Sequence, residues 1–110
     1  MTKLDNWKTQ IRKGYLELCL LMLIKKHKKI YGFDLLEKLQ EADLSVKEGT
    51  LYPMLNRMSA EHILDAVWNM ENIKSHPRKF YSLTDKGNQL LKEMRTEFKK
   101  ILVIFEKLEH

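Results

Sequence analysis

The sequence predicts a mainly helical domain with one small β-hairpin, in the order helix, helix, helix, strand, strand, helix. Two observations carry this prediction. Apolar residues recur at helical spacing in four segments, whereas the segment from residue 63 to 83 has no 3.6-residue repeat and carries strand-forming residues. The length of 110 residues and a hydrophobic content of 44% fit one domain, or one domain with a single extra element.

The amino-acid composition indicates the kind of partner and the cellular compartment to expect. Lys and Arg number 20 against 15 Asp and Glu, giving a net charge of +5, which suits a polyanionic partner but also serves solubility alone. The single Cys19 lies in an apolar run and predicts a reducing compartment. No secretory signal and no apolar stretch near the roughly 20 residues of a membrane span are present, so we expect a cytoplasmic protein without a membrane partner.

The first two helices are predicted over Leu4–Lys26 and Tyr31–Ala42. Gly14 marks an expected kink or join in the first. The part that follows it, which includes Leu16 and Leu20, is apolar on nearly every side and must therefore be covered from several directions.

The third helix is predicted to end near Ala60 and contains the stretch EGTLYPMLNRM. Its start has two alternatives. A capping box beginning at Ser45 would leave Pro53 well inside the helix, whereas a start near Gly49 would put Pro53 in the first turn. We favour a loose or kinked first turn that becomes regular at Pro53.

A hairpin follows, with strands expected within residues 63–73 and over Lys79–Leu83. Phe80 and Tyr81 should take opposite faces of the second strand. The tip lies near Met70–Pro77, with Lys74, His76, Arg78 and Lys79 in or beside it, and no carboxylate occurs between Glu71 and Asp85. Such a local cluster is stronger support for phosphate contacts than the global charge.

The last helix begins after Thr84, a predicted N-cap, and runs towards the end of the chain. It carries an unbroken heptad stripe with spacings of 3, 4, 3, 4 and 3 from Leu91 to Leu108. The stripe either packs on its own domain or, as we favour, on a second copy of the chain. We therefore divide the chain into a domain over 1–84 and a dimerisation helix over 85–110. The predicted dimer residues are Leu16, Leu20, Leu91, Met94, Phe98, Ile101, Leu102 and Phe105.

Residues of the types that catalyse reactions or bind metals are scattered along the chain. The four histidines lie in different segments, without metal-ligand spacing to Cys19 or a carboxylate, and the glycines form no phosphate-binding loop. We expect neither enzymatic activity nor a metal or cofactor.

Three helices followed by a hairpin are the arrangement of a winged helix-turn-helix, in which the third helix enters the DNA major groove and the hairpin reaches the adjacent backbone or minor groove. Leu51, Leu55 and Met58 form the core-facing side of the third helix, and polar residues lie off that side. The residues predicted to face double-stranded DNA are Lys47, Thr50, Tyr52, Pro53, Asn56, Arg57, His76, Arg78 and Lys79.

Four stretches make the chain resemble the PadR family of transcriptional regulators, in its shorter subgroup with one C-terminal helix: KGYLELCLLMLI, IYGFDLLEKL, EGTLYPMLNRM and RKFYSLTDKG. The resemblance implies a homodimeric repressor that binds a two-fold related DNA site and is released by a small molecule or another signal. It also adds Tyr31 to the DNA-facing residues. One departure is His62, where the family usually has glycine. We expect either a left-handed residue there, costing about 1 kcal/mol, or a different helix exit.

Two other interpretations remain open. A winged-helix module that contacts proteins and not DNA would carry acidic or apolar replacements in the third helix and wing, and these are not seen. A hydrophobic or aromatic effector is compatible with DNA binding, and its pocket would include Trp7, Phe98 and Phe105, although such residues are more often simply core.

Overall fold

The computed structural model describes residues 1–69 and 78–110, so the predicted hairpin tip, including His76, lies outside the described residues. In these two described ranges, four helices and three strands follow one another. They are α1 (Lys3–His27), β1 (Ile30–Tyr31), α2 (Gly32–Glu41), α3 (Glu48–Ala60), β2 (Leu64–Asn69), β3 (Arg78–Leu83) and α4 (Asp85–Glu109). Among the described residues, no helix has the length and apolar character needed to cross a membrane.

Helix α1 is one continuous helix, so the predicted alternative of a join between two pieces at Gly14 is wrong. The helix starts with a capping box in which the Thr2 hydroxyl accepts from the Asp5 N–H at 3.1 Å and the Asp5 carboxylate accepts from the Thr2 N–H at 3.2 Å. Within a helix of 25 residues, the cost of one glycine, about 1 kcal/mol, does not interrupt the hydrogen bonds.

Helix α3 starts at Glu48, which agrees with the alternative start near Gly49 and not with the alternative capping box at Ser45. The carbonyl of Ser45 instead accepts a hydrogen bond from Arg12 of α1, and Lys47 is the N-cap without a side-chain bond. The first turn is hydrogen-bonded, and Pro53 is the sixth residue of an uninterrupted helix, so the expectation that the helix becomes regular only at Pro53 is wrong. Because Pro53 has no N–H, the carbonyl of Gly49 lacks its usual partner inside the helix.

The end of α3 has the left-handed residue that was one of the two expectations. His62 has a φ of 62°. Its N–H donates to the carbonyl of Ser59 at 3.1 Å, and the N–H of Ile63 donates to the carbonyl of Met58 at 2.9 Å. These two bonds form a Schellman cap. The geometry usual for glycine is therefore kept with histidine, at a cost of about 1 kcal/mol.

The sheet has three antiparallel strands in the order β1-β3-β2, where the sequence predicted a two-stranded wing. Ile30 pairs with Tyr81 and Tyr31 with Phe80, so Tyr31 belongs to a strand and α2 starts one residue later than predicted. Phe80 and Tyr81 take opposite faces, as the alternation predicts, and Tyr81 is buried.

The core is formed by all four helices and the sheet. Its fully buried side chains are Leu20, Leu21, Ile24, Leu35, Leu39, Leu51, Leu55, Met58 and Leu64. Three residues predicted for the dimer interface, Leu16, Leu20 and Leu91, are only 7%, 0% and 2% exposed, respectively. They are core residues of their own chain, because α1 and the start of α4 pack on each other and on the domain.

Helix α4 starts as predicted: the hydroxyl of Thr84 accepts a hydrogen bond from the N–H of Gly87 at 2.9 Å. Beyond Met94 the helix leaves the core. From Ile101 to Phe105 five consecutive apolar residues are each between 42% and 51% exposed. The first half of α1 likewise exposes Leu4, Trp7 and Ile11. The two helices thus present large apolar surfaces outside the domain.

Candidate nucleic-acid interface

The exposed face of α3 carries three of the predicted DNA-facing residues. Leu51, Leu55 and Met58 hold the opposite face of the helix in the core, each at most 1% exposed. Thr50, Pro53 and Asn56 are exposed as a result, and Lys47 is exposed at the N-cap. The helix therefore offers a hydroxyl, an amide and a nearby ammonium group to a partner in front of it.

Arg57 lies on the same helix but is bound to carboxylates. Its Nη1 lies 2.9 Å from Oε1 of Glu61, and its Nη2 lies 3.3 Å from Oε2 of Glu17 in α1. The hydrogen bond to Glu61 is the largest cause of a raised pKa of the Arg57 guanidinium. In this structure both ends of the guanidinium that was predicted to read bases are occupied.

Tyr52 is half-buried and packs against the core. Its ring lies against Gly32 at the start of α2, where a Cβ would come within 2.8 Å of Cε1. Burial, and secondly the charge of Glu48, raises the pKa of the Tyr52 phenol. The residue therefore packs α3 against α2 in the free chain, and a contact of its hydroxyl with the DNA backbone stays a prediction.

Tyr31 is the centre of a cation–aromatic cluster on the sheet, formed with Lys29, Phe80 and Arg78. The rings of Tyr31 and Phe80 stack with centroids 3.9 Å apart. Lys29 Nζ lies 4.7 Å from the Phe80 centroid, and the Arg78 guanidinium carbon lies 5.3 Å from the Tyr31 centroid. Asn69 donates to the Tyr31 hydroxyl at 2.6 Å. These contacts fix two cations and a phenol on one face.

Lys79 belongs to the other face of β3. Its Nζ lies 4.8 Å from the ring centroid of Trp68, which is opposite it on β2 and 55% exposed. The wing cations described by the structure are thus placed over aromatic rings on both faces of the sheet. The alternation of side chains along β3 indicated that Arg78 and Lys79 lie on opposite faces. The contacts made by Lys29, Asn69, Trp68 and Phe80 were not predicted.

A groove of about 590 Å³ lies beside α4, and the predicted effector residues Trp7, Phe98 and Phe105 do not line it. That groove lies between Lys25 of α1 and the first half of α4, and its lining includes Asn88, Lys92, Arg95 and Lys99. Trp7 and Phe105 are instead 59% and 50% exposed on the apolar helix surfaces. Within one chain the structure does not bring them into this groove.

The amino-acid sequence of this chain matches a known family. Residues 20–93, well over half of the chain, match the Transcriptional regulator PadR-like family. The chain belongs to this family. The PadR-like chain is thus a transcriptional regulator, and its winged-helix fold is confirmed, with three strands in the sheet.

Solved structures agree with this assignment. A PadR-like transcription factor from Bacteroides fragilis is 40% identical, with a TM-score of 0.80, and the match covers 94% of this chain and 99% of that one. A PadR-like regulator from Bacillus cereus strain ATCC 14579 is 30% identical, with a TM-score of 0.77 and coverage of 92% and 97%.

A PadR family regulator from Eggerthella lenta DSM 2243 shares the fold of this PadR-like chain, with a TM-score of 0.86, 24% identity and coverage of 97% and 92%. The comparison with curated proteins gives no match.

Proposed function

We propose that this PadR-like regulator is a homodimeric repressor that binds a two-fold related site in double-stranded DNA. The observation that carries the proposal is the exposed face of α3. Apolar anchors at Leu51, Leu55 and Met58 hold the helix in the core, so that Thr50 and Asn56 face outward. An amide can bond the edge of adenine, and a hydroxyl can bond a base or a phosphate.

The sheet supplies the backbone contacts in this proposal. Arg78 and Lys79 lie at the start of β3, and Tyr31 and Lys29 lie beside α2. Phosphate contacts by such cations fix the position of a protein on the duplex without reading sequence. His76 is included among these contacts from the sequence alone.

Dimerisation is proposed from the exposed apolar helices. In α4, Phe98, Ile101, Leu102 and Phe105 are 38–50% exposed, and Met94 lies partly buried next to the core. Contiguous apolar surface of this kind marks a protein interface. Residues 85–110 would serve mainly this role and residues 1–84 would form the DNA-binding domain. Leu16, Leu20 and Leu91 would support the interface from inside the core.

Release by a small hydrophobic or aromatic molecule is the remaining part of the proposal. Trp7, Phe98 and Phe105 are all exposed on the surfaces that a second chain would cover. Two copies could enclose a ligand between these rings, whereas one chain leaves them open. We place the protein in the cytoplasm, where a bacterial-type regulator meets DNA.

The test is a binding titration by fluorescence anisotropy with a labelled mixed-sequence duplex over a series of KCl concentrations. We expect affinity to fall steeply with salt, because each phosphate contact releases counterions. A folded dimer that binds no duplex would contradict the proposal and favour the protein-interaction module. Repression is tested separately, by placing a selected site over the promoter of a reporter gene and measuring whether expression falls.

A further inference from the structure

Arg57 is the only cationic residue of α3, and its position is unusual for a base-reading side chain. It follows the exposed Asn56 and precedes Met58, which is fully buried. Its guanidinium is bonded to Glu61 at the end of its own helix and to Glu17 of α1, 40 residues earlier in the chain. The side chain therefore lies on the flank of α3 that faces α1.

Both carboxylates stand on fixed parts of the structure. Glu17 lies between Leu16 and Leu18, which are both buried, so the backbone that carries it is held by the core. Glu61 is the C-cap of α3, and its carbonyl accepts a hydrogen bond from Lys86 of α4 at 3.0 Å. Arg57 thus connects the C-terminal end of α3 to a helix that is itself anchored.

A base-reading role would require Arg57 to leave both carboxylates. A guanidinium reads guanine by presenting two N–H groups side by side, and here its two Nη ends are already bonded to different carboxylates. In addition, two negative charges next to the side chain oppose the approach of a phosphate backbone. The observed geometry suits a connection between helices better than a contact with DNA.

We propose that Arg57 is a positioning residue, which sets the angle of α3 against α1 through Glu17 and Glu61, and that base reading belongs to Thr50 and Asn56. This inference rests on the proposed DNA-binding function. It assigns Glu17, which lies on α1 and not on the helix proposed to read DNA, a part in sequence preference. The connection also joins the reading helix to α1, the helix whose first half is proposed to contact the second chain.

The effect of Glu17→Gln on sequence preference separates the positioning role from the base-reading role. Removing an acidic charge near DNA should strengthen binding to every duplex, so affinity alone is a poor readout. The ratio of affinities for the selected site and for a scrambled duplex cancels this general effect. For Glu17→Gln we expect this ratio to fall by up to about fivefold, the range typical of exposed ion pairs. The matched control is Glu37→Gln, which removes an exposed charge without a described ion pair.

Duplexes with single base changes give a second readout. A positioning role predicts that Arg57→Ala and Glu17→Gln lower preference by similar factors across the half-site, and that combining them adds little to either alone. A charge-reversed pair is the third readout, made in a Glu61→Gln background. There, Glu17→Arg combined with Arg57→Glu should recover sequence preference relative to Arg57→Glu alone. A base-reading arginine would not be rescued by this reversal.

Three outcomes would overturn the inference. These are an unchanged ratio for Glu17→Gln, a loss of preference in Arg57→Ala confined to one base pair, or no recovery in the reversed pair. If the wild-type protein bound no duplex at all, the proposed function would fail together with the inference. Binding by the wild type with an unchanged ratio in Glu17→Gln would remove the inference alone.

Discussion

Gly87 of α4 lies directly against the main-chain carbonyl of Ile63: a Cβ built on Gly87 would come within 2.1 Å of that oxygen. The same carbonyl accepts a hydrogen bond from the N–H of Thr84 at 3.1 Å, and the Thr84 hydroxyl donates to the carbonyl of His62 at 2.6 Å. The segment that follows α3 and the start of α4 are therefore joined by main-chain contacts and by the Thr84 side chain. This contact gives a physical reason for glycine at position 87.

Gly87→Ala should destabilise the protein. The new methyl group would collide with backbone and not with a flexible side chain, so α4 must shift, and we expect a loss of about 1–3 kcal/mol in the free energy of unfolding. Chemical denaturation at one fixed protein concentration measures the change. Gly14→Ala is the control, because nothing lies within 4 Å of its Cβ and alanine favours a helix. Equal stability of the two variants would contradict this account of the contact.

Lys79→Ala should weaken binding to selected and scrambled duplexes by similar factors. If Lys79 contacts one phosphate, the slope of log affinity against log salt should become shallower by about 0.9. Lys100→Ala is the matched control, since Lys100 lies on α4 and pairs with Glu97 at 3.0 Å. A loss restricted to the selected site, or a slope that does not change, would argue against a phosphate contact.

Phe105→Asp should separate the proposed dimer into monomers. The residue lies in the apolar stripe of α4, which is exposed in the single chain. A second chain packed on the stripe would bury the new carboxylate without a partner, which is strongly unfavourable. Sedimentation equilibrium measures the association. Thr96→Asp, on the same helix but off the stripe, should leave it unchanged. If both variants remained dimers, the stripe would not be the interface.

Cys19 should react slowly with thiol reagents while the protein is folded. Burial raises the pKa of the thiol, so at pH 8 a smaller fraction is present as the reactive thiolate than in the unfolded chain. The rate of labelling by Ellman's reagent, with and without denaturant, tests this. A native rate equal to that of the unfolded chain would contradict the effect of burial.

The sequence was sufficient for the features that depend on local patterns. Periodicity identified all four helices, and Thr84 was recognisable as an N-cap because a hydroxyl preceded an acidic first turn. The exposed face of α3 followed from the spacing of Leu51, Leu55 and Met58. Strand β1 was missed, since two residues are too few to show an alternation and pair only with a strand about 50 residues away.

The candidate interface was less predictable where contacts are distant in the chain. The pairing of Arg57 with Glu17 was not predictable, because Glu17 lies 40 positions earlier on another helix. Tyr52 looked like an exposed phenol, but the absence of a side chain at Gly32 gives its ring a place to pack. In both cases the side chain's surroundings are set by how the helices pack, which local sequence does not contain.

Selection of bound duplexes from a random pool tests the central claim, that this chain reads double-stranded DNA as a two-fold dimer, most directly. We predict enrichment of a sequence with two inverted half-sites whose centres lie about one helical turn, roughly 10 base pairs, or a multiple of it apart. Enrichment of no sequence, or of a single half-site without a repeat, would contradict the account.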